Sequence, residues 1–215
     1  MKILNPLFKS KVFDNLNIFF AKKIFKLFKI FFVETNLNKL PDLNYPLKDI
    51  DADLKGSELY SSSNTVPYLS YSHLSDLVNI IYEEKKKFVF FDYGAGNLNL
   101  FFYLNKRLDN LKYYFKDQIS VEEKVKKIIN QKRLNNLILG QYEFSELIDV
   151  LYFGSSLQYI DSYKDKISPF FQKARYILIA QTPFFENQKL NEKIILKQLN
   201  MHPVINYLYM FNFSH

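Results

Sequence analysis

The sequence predicts an α/β chain: a Rossmann-like, doubly wound, mostly parallel sheet with helices on both faces. Three observations carry that expectation. Short continuous apolar runs at Lys87 to Asp92, Leu137 to Leu139, Asp149 to Phe153 and Tyr176 to Ala180 read as strands buried on both sides. They alternate with stretches of helical periodicity, which is the order of a parallel sheet covered by helices. Of only five glycines in 215 residues, Gly94, Gly96, Gly140 and Gly154 sit at the ends of such runs. A strand that stops at a glycine before a helix lets bare backbone come close to a ligand.

Residues 1–34 read as a basic amphipathic extension. Within the first 33 residues seven lysines stand against Asp14 alone, which places six of the seven net positive charges there. The rest of the chain is near neutral and lacks the basic groove that nucleic acid requires. From Phe13 to Val33, apolar residues including Phe13, Leu16, Phe20, Ile24 and Phe31 recur at helical spacing, with Lys22, Lys26 and Lys29 opposite. No apolar run approaches the ~20 residues of a membrane-spanning helix, and the lysines interrupt any signal-peptide core. Two roles stay open for residues 8–33. They lie on an anionic surface, on the inner face of the membrane of a cytoplasmic protein, or they pack their apolar side on the rest of the chain or a second subunit.

Residues 35–67 read as a linker or wrap, broken by Pro41, Pro46, Pro67 and the Ser61–Asn64 cluster. The Rossmann-like domain is expected over 68–215. It opens with a helix from about Tyr68 to Lys86 that buries Leu69, Leu74, Leu77, Ile80 and Ile81. His73 lies on this helix, either as a surface histidine or facing the substrate. Helices over 98–107, 121–132 and 162–173 and a short strand over 112–116 fill the spaces between the apolar runs. After Ala180 the chain leaves room for one more strand, about Val204 to Phe213, so the sheet is expected to be shortened at its C-terminal end. The absence of cysteine excludes disulfides, thiolate nucleophiles and Cys-ligated zinc. Three histidines with no H-x-x-x-H spacing argue against a metal site.

In such a fold the ligand sits at the carboxyl ends of the strands, where strand order reverses. The run Asp92-Tyr93-Gly94-Ala95-Gly96 ends the first strand, and Asp117 ends the second, where a carboxylate can accept hydrogen bonds from both hydroxyls of a ribose. A dinucleotide site wants G-x-G-x-x-G, but Asn99 stands where the third glycine belongs. An acid two residues before the first glycine crowds a pyrophosphate and suits a ligand with an amino group. S-adenosylmethionine meets both conditions. No residue stands out as a general base: Gln158, Tyr159 and Tyr93 could orient a methyl acceptor, Tyr159 equally reads as a core aromatic, and Ser155 and Ser156 as caps of the next helix. Nothing resembles the G-x-S-x-G of a serine nucleophile.

The segments Asp92-Tyr-Gly-Ala-Gly-Asn97, Asp117-Gln118, Asp149-Val-Leu-Tyr-Phe-Gly-Ser-Ser-Leu-Gln-Tyr-Ile160 and Ile177-Leu-Ile-Ala-Gln-Thr-Pro-Phe184 resemble the successive signatures of a bacterial family of class I S-adenosylmethionine-dependent methyltransferases. The resemblance spans roughly residues 68 to 200. It implies that Asp92, Gly94, Gly96 and Asn97 hold the methionine end of the cofactor and Asp117 and Gln118 the ribose, and that Ser155, Ser156 and Gln158 line the reaction centre. It also implies a small-molecule or sugar acceptor, since such proteins accompany surface-polysaccharide biosynthesis. Leu98 departs from the pattern, standing where a glycine is common. An NAD(P)-dependent oxidoreductase on the same fold and a non-catalytic binding module are the alternatives.

Overall fold

The computed structural model describes residues 32–34, 54, 70–82, 87–140, 146–161, 163–186, 193–199 and 205–212. In chain order the elements are β1 (Phe32–Glu34), α1 (Ser70–Ile81), β2 (Phe88–Tyr93), α2 (Asn99–Asn105), β3 (Leu111–Lys116), α3 (Ile119–Lys132), β4 (Leu137–Leu139), β5 (Ile148–Gly154), a 3-10 turn (Leu157–Tyr159), α4 (Tyr163–Phe171), β6 (Ala174–Ala180), β7 (Phe184–Phe185), β8 (Lys193–Leu199) and β9 (Ile205–Asn212). They fall into two compact units, one built from 44–157 and 162–181, the other from 1–43, 158–161 and 182–215.

The larger unit holds a five-stranded sheet of order β4-β3-β2-β5-β6, and all four of its pairings are parallel. The chain builds outward from β2 through β3 to β4, then returns to lay β5 and β6 on the other side of β2. Strand order therefore reverses between β2 and β5, and the unit is a Rossmann-like α/β fold. Residues Phe88 to Asp92 of β2 are all buried, as expected of a central parallel strand with both faces covered.

Each covering helix takes its buried side from its own spacing. In α3, Val121, Val125 and Ile128 point inward while most of its lysines face solvent. In α2, Leu100 through Leu104 are all buried, so this short helix is enclosed on every side. Beneath it Phe90 stacks on Tyr113 at 5.3 Å, and Phe101 meets the Tyr113 ring edge-on at 5.4 Å. Such pairs contribute ~0.5–1.5 kcal/mol each beyond the area they bury. Leu54, from the segment expected to be linker or wrap, is buried in the same core.

Three expectations are corrected. Among the described residues of α1, Leu74 and Val78 are buried and Ile81 packs against the core, whereas Leu77 and Ile80 are 45% and 81% exposed, and Leu69 lies outside the described residues. The core-facing stripe runs through Leu74, Val78 and Ile81, spaced i, i+4 and i+7, and leaves Leu77 and Ile80 outside it. Phe32 and Val33, expected to end the N-terminal helix, lie in strand β1 and pair with Gln198 and Lys197 of β8. The remainder of that expected amphipathic helix lies outside the described residues. Finally, the chain after Ala180 contains three strands, β7, β8 and β9, not one. In the smaller unit β8 and β9 form an antiparallel pair from Lys193 opposite Phe211 to Leu199 opposite Ile205, in a sheet of order β1-β8-β9-β7.

Among the described residues no helix is long and apolar enough to cross a membrane.

Candidate functional site

The carboxyl ends of β2, β5 and β6 frame a cleft of about 90 Å3 beside the point where strand order reverses. Its wall comprises Asp92 from β2, Ala95 from the glycine loop, Leu100 from α2, Tyr152 and Gly154 from β5, and Ala180 and Gln181 at the end of β6.

Asp92 dominates the chemistry of this wall. The pleat that sends Phe91 and Tyr93 to one face of the sheet sends Phe90 and Asp92 to the other, where Asp92 stands opposite Tyr152 in the β2–β5 register. Its side chain is buried, and it accepts a hydrogen bond from the Tyr113 hydroxyl at 2.5 Å. Among the described residues no cationic side chain forms an ion pair with it. Burial drives its pKa up to about 7; the Tyr113 hydrogen bond opposes the shift and the nearby Asp117 charge adds to it.

The loop after β2 makes its turn with two glycines at positive φ, Gly94 at +74° and Gly96 at +68°. They are required for different reasons. A Cβ on Gly94 would come within 2.3 Å of the Ser156 Cβ, so its bareness serves packing against the loop after β5. A Cβ on Gly96 would meet nothing within 4 Å, which leaves open space above the backbone at that point. The Gly96 N–H donates to Asp117 Oδ2 at 2.7 Å, and the Gln118 N–H to Oδ1 at 2.7 Å. Each carboxylate oxygen of Asp117 can accept a second hydrogen bond, so the side chain braces the loop and retains capacity toward a ligand. Burial raises the Asp117 pKa, opposed by these two amides. Glu122 supports the corner by accepting from the Asp117 N–H at 3.0 Å and pairing with Lys116 at 2.9 Å.

The other expected site residues are distributed as follows. Asn97 accepts the Asn99 N–H on its side-chain oxygen at 2.9 Å, in the turn that leads into α2, and the Asn99 side-chain oxygen itself is buried with no hydrogen-bond partner among the described residues. Gln118 is exposed at the N-cap of α3. Ser156 is buried and donates its hydroxyl to the Tyr93 carbonyl at 2.5 Å, a link between the β2 and β5 loops and not a cap of α4. Ser155 follows β5 at φ +58°, and its N–H donates to the Ala180 carbonyl at 2.8 Å. Tyr93 lies away from the cleft wall, its ring against Phe153 at 5.6 Å and Phe170 at 6.1 Å. Gln158 and Tyr159 belong to the smaller unit, where Gln158 is buried and accepts the Thr182 hydroxyl at 3.0 Å. His73 falls within α1.

Sequence reasoning missed Tyr113, Tyr152 and Gln181. The phenols were hidden among sixteen tyrosines, and only the register of β3 and β5 against β2 brings them to Asp92. Gln181 adopts φ +56°, a left-handed conformation for a non-glycine residue immediately after a strand. Such backbone strain costs ~1–3 kcal/mol and clusters at functional sites.

Compared with known protein families and with curated sequences, the chain matches no family model and no individual protein.

Proposed function

We propose that the chain is an S-adenosylmethionine-dependent methyltransferase that transfers a methyl group to a small-molecule or sugar acceptor. The observation that carries this reading is Asp92, a buried carboxylate without a cationic partner among the described residues, in the wall of a cleft at the strand-order switch. A dinucleotide brings a pyrophosphate to this position, which a carboxylate repels. A ligand with an amino group brings the missing cation. Asn99 in place of the third glycine argues in the same direction.

The residues fit such a cofactor in three ways. Asp92 would hold its amino group, the open backbone at Gly96 would face its sugar, and the free lone pairs of Asp117 would accept the ribose hydroxyls. The cofactor supplies a methyl group on a sulfonium, and transfer is an in-line displacement in which the protein aligns the partners and excludes water. The buried floor of the cleft, Tyr152 and Leu100, serves that exclusion. No residue of the cleft wall is assigned as general base, which suits an acceptor that needs little deprotonation. The clustering of positive charge in residues 1–33 further supports a peripheral association of the same enzyme with an anionic membrane surface through residues 8–33.

Calorimetric titration tests the reading: S-adenosylhomocysteine is expected to bind and NADH not to. Asp117→Ala should weaken that binding by ~1.5–3 kcal/mol. Binding of NADH alone would make the chain an oxidoreductase, and binding of neither would leave it a non-catalytic module.

A further inference from the structure

We propose that the cleft takes up a cationic ligand group in exchange for a proton carried by Asp92, so that occupancy of the site is linked to pH. This exchange rests on the S-adenosylmethionine-type site proposed above, whose amino group would be the cation.

The geometry supports it from every side of the carboxyl group. The β3 strand presents the Tyr113 hydroxyl, a neutral donor at 2.5 Å. The end of β3 presents Asp117, a second carboxylate, whose neighbouring cation, Lys116, is engaged by Glu122 at 2.9 Å. From β5 comes Tyr152, from α2 the apolar Leu100, and from the end of β6 Ala180 and Gln181. None of these groups is a cation, and Asp92 is only 3% exposed. A carboxylate so desolvated, beside a like charge, binds a proton in the empty site. The expected midpoint is set by its pKa of about 7. A cation entering the cleft compensates the ionised form and expels the proton.

The test is calorimetry of S-adenosylhomocysteine with the full chain at pH 6 and pH 8, each in two buffers of different ionisation enthalpy. With a pKa of about 7, about a tenfold weaker affinity is expected at pH 6 than at pH 8, with close to one proton released per site at pH 6 and close to none at pH 8. Equal affinity at both values with no proton exchange overturns the linkage while leaving the site standing. No binding at any pH overturns both. A ligand-independent measurement is the infrared spectrum of the wild-type chain: a protonated carboxyl band is expected at pH 6 that is lost by pH 8, is lost at pH 6 on adding the ligand, and is missing from Asp92→Asn. A wild-type chain without that band at pH 6 overturns the proposal.

Discussion

Two glycines two residues apart show how far one residue's identity speaks for its role. Both were legible as a turn at the end of a strand, but the reason for each was not, because the Ser156 contact joins positions 62 residues apart. Gly94→Ala meets that contact in addition to a positive φ and is expected to cost ~3 kcal/mol or more. Gly96→Ala carries the backbone strain alone, ~1–2 kcal/mol. Urea unfolding of the two variants should resolve the difference, and equal losses would show that Ser156 gives way. At Asp92 the folded-state pKa is raised from 3.8 to about 7, so the native state holds the extra proton between those values and loses relative stability as pH rises through them. Asp92→Asn cannot ionise. It should therefore unfold later than the native chain at pH 8, by ~2–4 kcal/mol, with the gap closing toward pH 4. Thermal melts across that range provide the check. That Asp92 mattered could be read from its place before the glycines; that its partner is a phenol could not, since Tyr113 reaches it only through the pairing of β2 with β3.

At the level of elements, the parallel strands were readable wherever the apolar run was continuous: β2 and β5 are buried along most of their length, as expected of strands covered on both faces, whereas β6 was legible as a strand but is not buried on both sides, since Tyr176, Ile177 and Ile179 are exposed. The strand β8 was not legible: Lys193-Ile-Ile-Leu-Lys-Gln-Leu199 begins with a lysine and carries another within it, and its strand identity depends on β1 and β9 beside it. Helix phase was equally a matter of tertiary contact, as Leu77 and Ile80 show by facing solvent. One side chain ties several elements together. Glu146, just before β5, bonds the ammonium groups of Lys87 and Lys112, the latter at 2.6 Å, and the Tyr114 hydroxyl at 2.9 Å, so it joins the starts of β2 and β5 to β3. Its partial burial would raise its pKa, but these hydrogen bonds outweigh that and lower it to about 2. A depressed pKa contributes stability above the unfolded value of 4.5 that is lost as pH falls toward 2. Because the cluster is partly solvated, Glu146→Gln is expected to cost only ~0.5–1.5 kcal/mol at pH 7 and nothing near pH 2. A cost that persists in acid would assign the residue a packing role.

For the whole molecule, charge is distributed unevenly along the chain, with six of the seven net positive charges in the first 33 residues. If those residues make the membrane contact proposed above, vesicles containing anionic lipid should bind the protein at low salt and release it as salt is raised. The triple variant of Lys22, Lys26 and Lys29 to glutamate should not bind, and flotation that ignores both lipid charge and salt would remove the surface role. The strand order has a further consequence, for synthesis on the ribosome. The central strand β2 finds β3 almost at once, but its other edge waits for β5, whose first residue, Ile148, follows Tyr93 by 55 positions. At ~5–20 residues per second that is roughly 3–11 s with Phe88-Val-Phe-Phe open along one side. An aromatic, uncharged, proline-free edge of this kind recruits other chains. The run Glu83-Glu-Lys-Lys-Lys87 immediately before it acts as a charged guard during that interval. Nascent chains halted after Gly140 should accordingly aggregate, and more so when Lys85, Lys86 and Lys87 are replaced by alanine, as sedimentation of the released fragments would reveal.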